Sequence, residues 1–369
     1  GAEKDYANEM HGGVDEKSFA ARNYTQRTFA KLALRYLQPW VTKGVTRQEL
    51  DVAEQEWGNN LEPDLGNYVS TLPKKHRLMR INIISQKLFY SPSDTRIDRQ
   101  LAVLLLLQDV LKVHMLPDVD FVLCLNDRPS VLASAVNETL TGPPLVFGFA
   151  RTPNHLNVPF PNAPPLARIR NLRVPLKPFE SRKMVAFWRG SCNTLADGTA
   201  PPGMHNTSYA VRNYSVNPRF FMLRAARKCP QLVDAQLTRA NMIHCPEFAA
   251  DRPLPLNEHA NFSFLLHMDG NGFSGHLEEA LALGAVVLKH DSPYMGFYYP
   301  LLHAGVNYMP FRADSSNLCD QVARLRADTP LALRLAQGAQ NFTQTFLSAA
   351  AVHSYIVELL MQYANVQRF

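Results

Sequence analysis

Apolar positions in the first sixty residues fall on a helical stripe (Phe29, Leu32, Leu34, Tyr36 and Leu37) within a polar context, and predict helix. From 77 to 90 the pattern alternates and then runs Leu88-Phe89-Tyr90, which predicts one or two strands. Helical spacing returns over 98–115, ending before Pro117, and short apolar runs at 121–125 and 145–149 predict buried strands. Residues 153–177 are proline-rich and aperiodic, and read as a linker or the wall of a cleft. Beyond them the pattern predicts strands at 184–188, 232–235, 262–268 and 286–288. Helices are predicted at 217–228, up to Leu283 after a Gly-rich turn, and at 315–327, 330–346 and 350–364. Strands alternating with helices in both halves predict an α/β fold with parallel sheets. The expected division is a Rossmann-like domain over 1–175 with a helical N-terminal extension, and a second over 176–345. A C-terminal helix within 346–369 would cross back to the first domain, with a cleft between the two.

Composition narrows the class without naming a function. Hydrophobic residues make up 46% and charged residues 19% of 369, a globular balance. The longest unbroken apolar run, 101–107, falls short of the roughly twenty residues a spanning helix needs, so the chain is expected to be soluble. The net charge of +6 carries no basic run longer than Lys74-Lys75-His76-Arg77. That is weak support for nucleic acid and suits an anionic small ligand.

Five cysteines occur without a CxxC pair. Cys124, inside an apolar run, is expected to be a buried thiol outside any disulfide. Cys229 and Cys245 flank one predicted strand and are the expected bridge. N-x-S/T sequons at Asn23, Asn137, Asn206, Asn213 and Asn341 predict a glycosylated lumenal surface, while a sixth, at Asn261, starts an apolar segment and is expected to be buried. The start Gly1-Ala2-Glu3 lacks a basic or apolar leader, so any contact with a membrane is expected through an anchor already removed.

The turn 269–275, Asp-Gly-Asn-Gly-Phe-Ser-Gly, holds a G-x-G-x-x-G between a predicted strand and a predicted helix. Glycines there admit a phosphate close to the backbone, and the helix end stabilises the anion. Two ligand classes fit. In a dinucleotide fold, an NAD(P)-dependent oxidoreductase would use Gly270, Gly272 and Gly275 with Asp291 as the ribose acid. Alternatively, 276–288, with Glu279 five residues before Gly284, resembles the segment of two-domain glycosyltransferases in which a glutamate holds the nucleotide ribose.

Further segments bear on this choice. Leu-Pro-Asp-Val-Asp-Phe-Val-Leu-Cys-Leu-Asn-Asp-Arg-Pro (116–129), Ala-Phe-Trp-Arg-Gly-Ser (186–191) and Leu-Val-Asp-Ala (232–235) resemble, in order, signatures of glycosyltransferase family 90. The Gly-rich turn, Tyr-Tyr-Pro-Leu-Leu (298–302) and Val-Asn-Tyr-Met-Pro (306–310) extend the resemblance. That family contains protein O-glucosyltransferases of the endoplasmic reticulum and fungal capsule-associated xylosyltransferases.

The resemblance implies two Rossmann-like domains facing a cleft (the glycosyltransferase B architecture), with the donor on the C-terminal domain and inversion at the sugar. It assigns Asp127 as catalytic base. It assigns Arg189, Gly190 and Ser191 to the diphosphate, and Asp234 and Ala235 to uracil and ribose. Gly272, Phe273, Ser274, Gly275, His276 and Glu279 complete the donor site, while Phe149, Thr152 and Asn157 fall beside the transferred sugar or acceptor. Two positions depart from the pattern. His276 stands where most members carry arginine, which predicts transfer rising as pH falls toward 6. Asn157 stands where glucosyltransferase members carry aspartate, leaving glucose and xylose both open.

Asp118-Val-Asp120 spells D-x-D but precedes its strand, at the opposite sheet edge from the donor, so no metal and no cofactor beyond the UDP-sugar are expected. The expectation is therefore an inverting transfer of glucose or xylose from a UDP-α-sugar to a hydroxyl of a protein or glycan, in the lumen of the endoplasmic reticulum or Golgi. The oxidoreductase and a non-catalytic family member are the rivals.

Overall fold

The computed structural model describes residues 16–54, 78–91, 97–127, 129–131, 133, 144–170, 176–191, 218–238, 248–249, 254–270 and 272–369. In chain order the N-terminal part contains α1 (Glu16–Val41), α2 (Arg47–Val52), β1 (Leu78–Ile84), β2 (Lys87–Tyr90), α3 (Ile97–Leu111), β3 (Val119–Cys124), β4 (Val146–Gly148), β5 (Val158–Pro159) and α4 (Ala163–Arg170). The rest contains β6 (Lys183–Gly190), α5 (Pro218–Lys228), β7 (Val233–Leu237), α6 (Leu256–His259), β8 (Phe262–His267), α7 (His276–Ala282), β9 (Val286–His290), β10 (Met309–Phe311), α8 (Leu318–Ala327), α9 (Thr329–Phe342) and α10 (Ala349–Ala364).

The strands form two five-stranded sheets, ordered β2-β1-β3-β4-β5 and β10-β9-β8-β6-β7. The second is parallel throughout. Its strands β8 and β9 are buried along their whole length, as strands covered on both faces must be. The first sheet departs from the all-parallel expectation. Its strands β3, β4 and β5 run parallel, but β1 pairs antiparallel with both β2 and β3. The β1–β2 pairing has a local cause: Ser85 and Gln86 take φ of 49° and 64°, the mirror-image turn that matches strand twist and closes a hairpin at Ile84–Lys87.

The proline-rich stretch is not a bare linker. Pro164 and Pro165 lie in the first turn of α4, where a missing N–H costs nothing, and the helix packs between α3 and α7. Helix α10, capped by Ser348, returns to the first sheet. There Tyr363 donates to Asp120 O at 2.6 Å and Tyr355 to Pro159 O at 2.7 Å. Among the described residues no helix is long and apolar enough to cross a membrane.

The disulfide also differs from expectation. Cys229, at the end of α5, bonds Cys319 at the start of α8, with Cα atoms 6.2 Å apart. Proximity in sequence favoured Cys245, which lies outside the described residues. The fold instead stacks α8 on α5 and brings in a partner from 90 residues away. Cys124 is buried in β3, outside this bridge.

Gly338 in α9 is a point of close approach. A Cβ there would meet the backbone oxygen of Val306 at 2.0 Å. Neither partner is a flexible side-chain end. Gly338→Ala is therefore expected to destabilise the fold by about 1–3 kcal/mol or more. An unchanged melting temperature would contradict this packing.

Candidate functional site

The two sheets meet at a cavity of about 400 Å³. Asp127, just past β3, enters from one side, and Gly270 with Phe273–His276, between β8 and α7, from the other. This is where open α/β sheets place ligands, beyond the carboxyl ends of their strands. A backbone bond joins the two sides: Phe273 N donates to Asp127 O at 3.1 Å. Gly275 is pressed onto the facing half, since a Cβ there would lie 2.6 Å from Pro165 and 2.9 Å from Asn162.

Of the residues expected from sequence, Asp127, Ser191, Phe273, Ser274, Gly275, His276 and Glu279 line this cavity. Gly272 lies in the same turn, where its carbonyl accepts from Gly270 N at 3.0 Å. Arg189, Asp234 and Ala235 do not line it. The Arg189 guanidinium turns along the sheet, donating to Asp234 O at 3.1 Å, pairing with Asp234 Oδ1 at 2.9 Å and lying 4.5 Å over the Phe187 ring. Asp234 and Ala235 border a separate cavity of about 260 Å³ against α5. Gly190 leaves room for Trp188, whose ring would stand 2.4 Å from a Cβ.

Three cavity-lining arginines carry no sequence motif. Arg219, in the first turn of α5, is buried. Its Nε donates to Asp269 O at 2.9 Å, and its Nη1 donates to Ser191 O at 2.6 Å and Ser191 Oγ at 3.1 Å, so one guanidinium ties the ends of β6 and β8. A cation at the positive end of a helix is unfavourable by itself. That placement is the signal by which the sequence could have marked Arg219. Arg168, on α4, pairs with the buried carboxylate of Glu279. Burial raises the Glu279 pKa and Arg168 opposes the rise. Arg99 is the third, in the first turn of α3.

Residues 65–369 match the model of Glycosyl transferase family 90. The chain belongs to glycosyltransferase family 90. Among curated relatives, protein O-glucosyltransferase 2 of Danio rerio is 31% identical over 157 residues, covering 40% of this chain and 30% of that protein. Protein O-glucosyltransferase 1 of Mus musculus is 23% identical over 264 residues, covering 69% of this chain and 64% of that protein. The matched part thus spans from under a third to just under two thirds of these two relatives. A crystal structure of Anabaena HepE in complex with UDP-glucose aligns at a TM-score of 0.34 and 15% identity, covering 48% of this chain and 49% of that one. Family membership leaves the dinucleotide reading of Gly270–Gly272–Gly275 with Asp291 without support; Asp291 itself is exposed beyond β9.

In this family 90 chain, Phe149, Thr152 and Asn157 lie behind the cavity rather than on it. Phe149 is buried, with the Arg99 guanidinium 5.9 Å over its ring. The Thr152 hydroxyl contacts His155 Nδ1 at 2.7 Å. Asn157 is fully buried, and its Oδ1 accepts from Ser130 N at 2.8 Å and Val131 N at 2.9 Å. Its Nδ2 donates to Ser130 Oγ at 3.0 Å, so its amide braces the loop that follows Asp127. Asp118 and Asp120 sit at the far end of β3 from Asp127. Asp120 is gripped by Arg80 at 2.7 and 2.8 Å, and Asp118 accepts from Ser85 N at 2.7 Å. Among the described residues no group of three His, Cys, Asp or Glu side chains is placed to hold a metal.

His276 corrects the pH expectation drawn from sequence. Both ring nitrogens are buried without a hydrogen-bond partner among the described residues. Burial, with His259, His267, Arg219 and Arg168 nearby, holds its pKa well below the usual histidine value. The shift favours the neutral ring, so no acid-side rise in transfer is expected from His276. Behind it, burial likewise holds His267 at about 4.

Glu278, beside Tyr298, shifts the other way, with burial pushing its carboxyl up to about 8. Both shifts bear on stability. Below pH 6.5 the unfolded chain protonates His267 while the folded chain does not, so stability falls as pH drops toward 4. Above pH 4.5 the unfolded chain ionises Glu278 while the folded chain keeps its proton, so stability falls as pH rises toward 8. Glu278→Gln removes the second effect. Its stability relative to the parent is expected to improve steadily from pH 5 to pH 8, by about 1.4 kcal/mol per unit at most. Parallel denaturation profiles for the two proteins would contradict this.

Of the sequons, Asn341 on α9 is exposed, and Asn23 on α1 and Asn261 before β8 are half-buried. Asn137, Asn206 and Asn213 lie outside the described residues.

Proposed function

We propose that this chain is an inverting glycosyltransferase that moves glucose or xylose from a UDP-α-sugar to a hydroxyl of a protein or glycan. One observation carries the reading: Asp127 and the Gly-rich turn face one cavity and are joined by the Phe273–Asp127 backbone bond. In the reaction, the acceptor oxygen attacks C1 as the C1–O bond to UDP breaks. Asp127 takes the acceptor's proton, and UDP leaves with the bonding electron pair. Arg219, together with the backbone N–H groups of the turn, would stabilise the departing diphosphate, the part a metal plays elsewhere. The protein acceptor is suggested by relatives named protein O-glucosyltransferases. A lumenal location is supported by the Cys229–Cys319 disulfide, a bond of oxidising compartments.

A thermal-shift series with UDP, UDP-glucose, UDP-xylose and NAD tests the reading. A ligand at about a hundred times its Kd adds about 2.7 kcal/mol, a shift of a few degrees. UDP ligands are expected to stabilise, and NAD is not. Stabilisation by NAD alone would overturn the reading. The neutral His276, where arginine is the family habit, favours one second reading, a non-catalytic member. That reading requires UDP to stabilise while no UDP is ever released from a UDP-sugar.

A further inference from the structure

We propose that Arg99 is a positioning residue that holds the carboxylate of Asp127 in place for proton transfer. This rests on Asp127 being the base. The guanidinium divides its donors between strand and carboxylate: Nη1 donates to Leu125 O at 2.9 Å and Nη2 to Asp127 Oδ1 at 2.6 Å. One planar fork thus spans the end of β3 and the side chain two residues on, and the Phe149 ring lies 5.9 Å beneath it.

The same loop is held from two other directions. Phe273 N–H fixes the Asp127 carbonyl, and Asn157 Oδ1 fixes the N–H groups of Ser130 and Val131. Strand end, carboxylate, loop carbonyl and loop amides are therefore set before any substrate arrives. Asp127 Oδ2 has no partner among the described residues, and the side chain keeps 24% of its surface exposed on the cavity. Arg99 occupies one oxygen and leaves the other to an acceptor hydroxyl. A lysine, a single point donor, cannot make both bonds from one plane. The competing role for Arg99 is direct contact with the donor diphosphate, since it also lines the cavity.

A double-mutant cycle separates the two roles. The assay is UDP release from UDP-glucose with water as acceptor, alongside UDP titration by calorimetry. Arg99→Met is expected to lower kcat at least tenfold while donor KM and UDP affinity stay within twofold. Arg99→Lys, which keeps a cation in α3 and guards against loss of folding, is expected to recover part of that rate. In an Asp127→Asn background, Arg99→Met is expected to cost nothing further, because a residue acting only through Asp127 has nothing left to position. A donor KM that rises with the loss, or a further drop in the Asp127→Asn background, overturns the proposal. If Asp127→Asn keeps the parent rate, the base assignment falls and takes the proposal with it. If Asp127→Asn loses rate and Arg99→Met does not, the proposal alone falls.

Discussion

Asp127→Asn is expected to lower transfer by about 10²–10⁴-fold and to leave UDP affinity within a factor of about two. Asparagine keeps the shape and can still accept the Arg99 donor, so the loop is expected to hold. It cannot take a proton from an acceptor hydroxyl. The backbone bond from Phe273 N to Asp127 O involves no side chain and survives the change. The donor turn therefore keeps its anchor. A lost rate with intact UDP binding separates chemistry from binding; equal losses in both would place Asp127 in the donor site and not at the acceptor.

Arg219→Met is expected to act on the other half of the reaction. Arg219 is buried, borders the cavity, and donates to Ser191 O, Ser191 Oγ and Asp269 O. Methionine fills much of the volume but supplies neither charge nor donors. Losing a charge-assisted contact of about 1.5–3 kcal/mol weakens UDP binding by about 10–150-fold. Uridine, which has no phosphate, is expected to bind the variant as it binds the parent. The fold is expected to lose about 1–3 kcal/mol as the half-buried Ser191 carbonyl and the buried Asp269 carbonyl lose their donor. Equal weakening of UDP and uridine would show that Arg219 supports the nucleoside pocket and not the diphosphate.

Much of the frame was legible because its signals are local. The apolar run of β3 followed by Asp127, and the strand, glycine turn and helix of β8 to α7, are each written in one short consecutive stretch, the longer of them 262–282. What escaped depends on where distant elements land. Arg99, Arg168 and Arg219 come from α3, α4 and α5, three helices that only the folded chain brings to one cavity. Periodicity showed that α3 and α5 exist but not which residue of each polar face turns inward, and α4 lies in the stretch that reads as aperiodic. The pairing of Cys229 with Cys319 failed to show for the same reason, since it records the stacking of α8 on α5.

The sequence also carries residue types without their surroundings. His276 read as a titrating group near pH 6. Burial, with His259, His267 and two arginines nearby, disfavours that charge. Asn157 read as part of the sugar wall, yet its amide is spent on Ser130 and Val131. Antiparallel pairing of β1 with β2 followed from Ser85 and Gln86, two ordinary polar residues in a conformation that glycine or asparagine more often adopts.

The most direct test of the account is the anomeric configuration of the sugar first released from UDP-α-glucose, or from UDP-α-xylose if that is the better donor, followed by proton NMR as UDP appears. In-line attack at C1 with Asp127 as base gives the β-anomer first, with the α-anomer growing in only by mutarotation. Initial release of the α-anomer, or bound UDP-sugar with no UDP formed, would contradict it.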